Sequence, residues 1–173
     1  ILLAILAYIE NLTNFSLKIK NKYFYSFILL FFILFVGLRY QIGCDWDVYE
    51  INFNRITSEN FLYHLKNQKK FYEFSYSTLS QLIAIKFNFS TLIFLYGLFF
   101  TLPLFYFCAN IKRTYLSLMI SYPYFILVVG MGPIRQASAI AFLMLTFIFI
   151  AKRKIKLIYF SSILSILFHH SAV

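Results

Sequence analysis

A chain of 173 residues that is 61% hydrophobic and only 13% charged has too little polar surface to solvate a globule; soluble domains carry roughly 25% charged residues. Its net charge of +10 is not a nucleic-acid footprint, because Lys and Arg stand in short clusters between apolar runs, the pattern of a membrane protein. Cys44 and Cys108 fall in regions expected on different sides or at different depths of a bilayer, which argues against a disulfide or a cysteine metal site.

The apolar runs are Ile1–Ile9, Tyr23–Leu38, Phe89–Ala109, Tyr115–Val129, Ala137–Ala151 and Leu157–Phe168. The expected fold is all-α: a polytopic transmembrane helix bundle with amphipathic interfacial helices in a long outer loop. Residues 1–173 read as a single transmembrane domain fragment, with helices at about 1–9, 23–38, 89–109, 115–129, 134–151 and 156–173 and the outer loop at 39–88. The chain starts at Ile1 inside an apolar run and stops at Val173 after a His pair, so the first helix reads as truncated and the last as interrupted. No small-residue cleavage site follows Ile1–Ile9, so a signal peptide does not account for that run.

Lys18, Lys20 and Lys22 follow the first run, Lys112 and Arg113 the third, and Lys152, Arg153, Lys154 and Lys156 the fifth. If each run crosses once, all three clusters fall on one side, which the positive-inside rule makes cytoplasmic. The opposite side holds the 39–88 loop, the turn at Gly130–Arg135, and His169 and His170. Within the loop, Trp46, Tyr49, Phe53 and Ile56 recur at helical spacing, with Asp45 placed to cap them. Tyr72, Tyr76, Leu79 and Ile83 repeat the pattern. Both stretches are expected as interfacial helices with their apolar faces toward lipid or the bundle. The last run is short for a span of roughly twenty residues. Either Lys156 snorkels and the helix continues past His170, or the bilayer thins. On the first account His169 and His170 lie in the outer half of the membrane, and Arg135 is recessed by less.

Arg135 is the sharpest candidate. Gly130, Gly132 and Pro133 break the chain before it, placing Arg135 and Gln136 in the first turn of a new helix. Helix-start N–H groups, the positive end of the dipole and a guanidinium together form an anion site suited to phosphate or diphosphate. The glycines would also let a ligand approach closely; the competing role is an arginine snorkelling to lipid headgroups. His169 and His170 point about 100° apart on a helix, so one could serve as a general base, against the plainer role of a helix-end histidine. No third ligand-type residue follows at metal spacing, and no zinc site is expected. Arg39, Gly43, Asp45, Trp46 and Asp47 leave the second run on the same side. They form either a helix end with its caps or a strip for sugar and phosphate.

Three segments carry a resemblance. The stretch from Gly37 to Trp46, followed by Tyr49 and Phe53, resembles the Arg-Tyr-x-Ile-Gly-x-Asp-Tyr segment of the EpsG family. Ile134 to Ala141 and Leu167 to Ala172 resemble its Arg-Gln-x-x-Ala and Phe-His-x-Ser-Ala segments; Trp46 stands where the family usually has Tyr, and Cys44 where it has a small polar residue. The resemblance covers about Tyr23 to Val173, and family members are commonly about twice this length. The family belongs to the Wzy-type polymerases of O-antigen, capsule and exopolysaccharide. The resemblance implies a multi-pass protein of the bacterial inner membrane. It would move a growing glycan from undecaprenyl diphosphate to an incoming lipid-linked repeat unit at the outer face. It also implies that Arg135 and Arg39 hold the diphosphate, with Gln136 beside them. His169 would act as base or orienter next to His170, and Asp45 would bind sugar or position Arg39; on the reading of the residues themselves, the Trp46 ring would stack on a sugar face. No metal or soluble cofactor is implied; the partners are the lipid-linked oligosaccharide and the bilayer, with room for a chain-length regulator membrane protein. Competing classes are an O-acyltransferase or glycan ligase, and a lipid-linked glycan flippase or transporter. A flippase should show internal repeats and midplane charges, and the sequence has no repeat and few such charges.

Overall fold

A computed structural model describes residues 1–13, 22–58 and 74–169. All regular structure among them is helical: eight α-helices and one π-helical segment. They are α1 (Leu2–Thr13), α2 (Lys22–Gly37), α3 (Trp46–Ser58), α4 (Phe74–Ala84), α5 (Phe89–Ala109) and α6 (Thr114–Ser121). The π-helical Tyr122–Gly130, α7 (Ile134–Ala151) and α8 (Ile155–Phe168) follow. Of the loop residues expected to carry the second amphipathic pattern, Tyr72 lies outside the described residues.

Helix α5 begins where Asn88, in extended backbone, accepts a bond from the Thr91 N–H at 3.3 Å. It runs 21 residues and α7 runs 18, and these two are long and apolar enough to cross a membrane. At a rise of ~1.5 Å per residue they measure about 31 and 27 Å, close to a hydrocarbon core of ~30 Å. Their neighbours are shorter. The run expected as a helix over about 115–129 is α-helical to Ser121 and then π-helical through Gly130. Pro123 explains the change, since it has no N–H to donate and its ring crowds the preceding turn, so the backbone widens. The last helix, expected over 156–173, closes at Phe168, and His169 caps it in extended backbone. Phe168 sets that end by packing against Phe99, Phe142 and Tyr96, with ring centroids 5.3, 5.3 and 5.6 Å away.

Helix α5 is the axis, with α2 and α7 packed along it, α8 against α7 and α1 against α6. Glycine decides the closest crossing: a Cβ on Gly97 would lie 2.7 Å from the Gly37 Cα, so α2 and α5 meet backbone to backbone. Helices α7 and α8 are joined by polar bonds instead, Thr146 Oγ1 to Ser161 Oγ at 2.8 Å and Ser165 Oγ to the Ala139 carbonyl at 2.7 Å. Two apolar clusters fill the interior. One gathers Ile28, Phe32, Phe105, Tyr115 and Leu118 around the lower part of α5. The other packs Trp46, Tyr49, Phe53 and Ile56 of α3 and Tyr76 and Ile83 of α4 onto Phe89, Ile93 and Tyr96. The loop helices therefore turn their apolar faces to the bundle. The outer surface is apolar in its turn, with Phe27, Phe31, Val128, Phe147 and Phe160 all more than half exposed. An exterior of this kind suits lipid and not water.

Candidate functional site

The turn Gly130–Pro133 delivers Arg135 to the second position of α7 and Gln136 to the third, at a helix start whose N-cap, Pro133, has no side-chain bond to give, while the Tyr49 phenol meets the Arg135 backbone N–H. The Arg135 guanidinium lies against two rings of the loop helices, 5.6 Å from the Tyr49 centroid and 5.8 Å from that of Tyr76. A cation over aromatic faces is stabilised by the ring quadrupoles and keeps its full charge. Tyr49 and Tyr76 are fixed in turn: their rings stand 5.4 Å apart, and the Tyr76 hydroxyl donates to the Tyr49 carbonyl at 2.5 Å. Burial pushes the Tyr49 phenol up, with Arg135 opposing the shift, and burial pushes Tyr76 up as well. Both therefore stay neutral donors at ordinary pH. Arg135 is half-buried and Gln136 exposed. The two described helices of the long loop thus set the Tyr49–Tyr76 ring pair against the arginine.

Arg39 sits on the other side of the same turn. It is 7% exposed, and its Nη1 and Nη2 donate to the carbonyls of Gly130 and Gly132 at 2.5 and 3.4 Å. Burial pushes its guanidinium down to about 10, so it remains cationic at neutral pH. Gly43, at φ 109, presses on this turn, and a Cβ there would overlap the Met131 carbonyl oxygen. A Cβ on Gly130 would lie 2.6 Å from the Phe100 ring, and one on Gly132 2.8 Å from the Val128 carbonyl. The room expected for a ligand beside these glycines is thus occupied by the chain itself.

The remaining predicted site residues are placed as follows. The Asp45 carbonyl accepts the first bond of α3 from Tyr49 N–H at 3.0 Å, and its side chain is half-buried. Trp46, expected against a sugar, is 5% exposed, crosses Phe89 edge-on at 5.2 Å and donates Nε1 to Glu50 at 3.2 Å. It is a packing residue, because its apolar bulk is what seats α3 on α5. His169 is half-buried beyond Phe168, and a run of ring contacts, Phe168–Tyr96–Tyr76, links that end of α8 to the tyrosine at Arg135. His170 lies outside the described residues. Among the described residues no group of three or more His, Cys, Asp or Glu lies together.

One charged residue escaped the sequence reading. Glu10 of α1 is 2% exposed and accepts from the N–H groups of Thr114, Tyr115 and Leu116 at 2.9, 2.8 and 3.3 Å. It caps α6 from another helix. The signal was present: a lone carboxylate in an apolar run needs an internal partner. The helical stretch from Thr114 to Gly130 therefore carries a carboxylate at its N-terminus and a guanidinium at its C-terminus, each complementing the dipole.

With described residues that are helical throughout their regular structure, two apolar helices of span length and an apolar exterior, this is a membrane protein. It belongs to the EpsG family, whose pattern it matches over residues 22–173. No curated protein and no solved structure matches the chain.

Proposed function

We propose that this protein is a polysaccharide repeat-unit polymerase of the bacterial inner membrane, working on lipid-linked glycans at the outer face. The observation that carries this reading is Arg135 resting on the Tyr49–Tyr76 ring pair in the first turn of α7. A guanidinium, helix-start N–H groups and the positive end of a dipole suit a diphosphate, and family membership supplies the reaction class. The six apolar helical segments cross the membrane, and the contacts at their ends sort into two sides. Glu10 meets Thr114 and Lys152 meets Asn110 on the cytoplasmic side; Arg39 meets Gly130 and Arg135 meets Tyr49 on the outer one.

In the reaction, the acceptor sugar hydroxyl attacks the anomeric carbon of the growing glycan. The new glycosidic C–O bond forms as the bond to diphosphate breaks, and undecaprenyl diphosphate leaves with the electron pair. Arg135, with Gln136 beside it, stabilises the negative charge that grows on the leaving group. His169 takes the hydroxyl proton, and Asp45 orients the sugar. The charge of the diphosphate is offset by arginine and the helix end, without a metal. An apolar cleft of about 770 Å³ between α2, α5, α7 and α8 runs from Phe99 and Phe142 to Tyr106 and Phe149. It supports a substrate carried on a long lipid.

Deletion of the gene in its host, with the surface glycan resolved by gel electrophoresis, tests this. Loss of the long ladder with a single repeat retained is expected; an unchanged ladder refutes a polymerase, and loss of all repeats points to a flippase or ligase. Complementation with Arg135→Ala or His169→Ala is expected to leave the ladder absent.

A further inference from the structure

Arg39 is one of two arginines on the outer side of the bundle whose surroundings the structure describes at the Gly130–Pro133 turn, and the two are used differently. Arg135 faces aromatic rings and a helix start. Arg39 is 7% exposed and spans two backbone carbonyls, those of Gly130 and Gly132, one at the last residue of the π-helical segment and one inside the turn. Its third nitrogen, Nε, has no hydrogen-bond partner among the described residues. Four residues later Gly43 bears on Met131, between those two carbonyls, so the strip 39–43 grips the turn at three consecutive residues. Two residues after Gly132 the chain enters α7, and Arg135 follows at once.

We infer that Arg39 is a positioning residue and not a diphosphate ligand: it holds the Gly130–Gly132 carbonyls and thereby sets where Arg135 points. The inference rests on the reading of Arg135 as the anion ligand. Two features favour it over a swing of Arg39 onto the substrate. Leaving the turn would abandon the Gly130 and Gly132 carbonyls, and buried carbonyls need donors. Gly43 also lies hard against Met131 and Gly132, so the strip that carries Arg39 is held to the turn at a second point.

The test uses full-length protein in detergent, as wild type, Arg39→Gln, Arg39→Lys, Arg135→Gln and the double glutamine variant. Two readouts are taken: hydrogen exchange of the amides over residues 128–136 without ligand, and affinity for inorganic diphosphate. Arg39→Gln is expected to speed exchange over 128–136 at least tenfold, Arg39→Lys less, because one ammonium serves one carbonyl well, and Arg135→Gln not at all. Diphosphate affinity should fall at least tenfold in Arg135→Gln. On that background Arg39→Gln should add less than a twofold loss. Unchanged exchange in Arg39→Gln overturns the proposal, as does a double variant whose losses multiply, which would make Arg39 an independent ligand. If Arg39→Gln fails to accumulate, Arg39→Lys carries both readouts: a smaller but measurable rise in exchange over 128–136 is expected, and exchange equal to wild type overturns the proposal. If wild type does not bind diphosphate, the anion reading of Arg135 falls, and the exchange result alone decides whether Arg39 holds the turn.

Discussion

Glu10 offers the most quantitative check on how this bundle is held. Its carboxylate is buried and takes three N–H groups at the start of α6, one on Oε1 at 2.9 Å and two on Oε2 at 2.8 and 3.3 Å. Glu10→Gln keeps one acceptor oxygen and turns an NH2 toward the donors that Oε2 served. One good bond and one weak bond are lost, together with the charge facing the helix N-terminus. A hydrogen bond to a charged group contributes about 1.5–3 kcal/mol, and a charge at a helix end about 0.3–2 kcal/mol. The expected loss is about 3 kcal/mol, roughly a hundredfold in the folded fraction. Glu10→Ala, which leaves all three donors bare, should cost about 1 kcal/mol more, and Glu10→Asp, one methylene short, less than Gln. Thermal unfolding of the full-length protein in detergent measures the series. A Glu10→Gln midpoint equal to that of wild type refutes the reasoning. So does a loss that vanishes at high salt, because a buried charge is little screened.

Gly97→Ala places a Cβ 2.7 Å from the Gly37 Cα and must force α2 and α5 apart, costing about 1–3 kcal/mol in the same unfolding assay. Gly43→Ala combines a positive φ with overlap onto the Met131 carbonyl; stability should fall by about 1–3 kcal/mol and the glycan ladder should shorten, read by unfolding and by gel. A double-mutant cycle of Thr146→Val and Ser161→Ala should give a coupling of only about 0.6 kcal/mol, because polar bonds between membrane helices are individually weak.

The sequence by itself determined the helical class, the placing of the apolar segments and the turn before Arg135. Each rests on local physics: apolar runs of span length, and a Gly-Met-Gly-Pro stretch that cannot stay helical. It also determined that Trp46, Tyr49, Phe53 and Ile56 share one helix face, since that follows from 3.6 residues per turn. Where that face turns is a matter of what lies opposite, and only the tertiary structure decided for the bundle. The same holds for the charges. Arg39 and Arg135 read alike in sequence, two arginines at helix ends on one side, yet one is spent on carbonyls 91 and 93 residues away and the other rests on tyrosines. Glu10 finds its donors 104 to 106 residues along the chain. Partners so distant leave no periodicity to read, and a buried charge is explained only by the atoms that surround it.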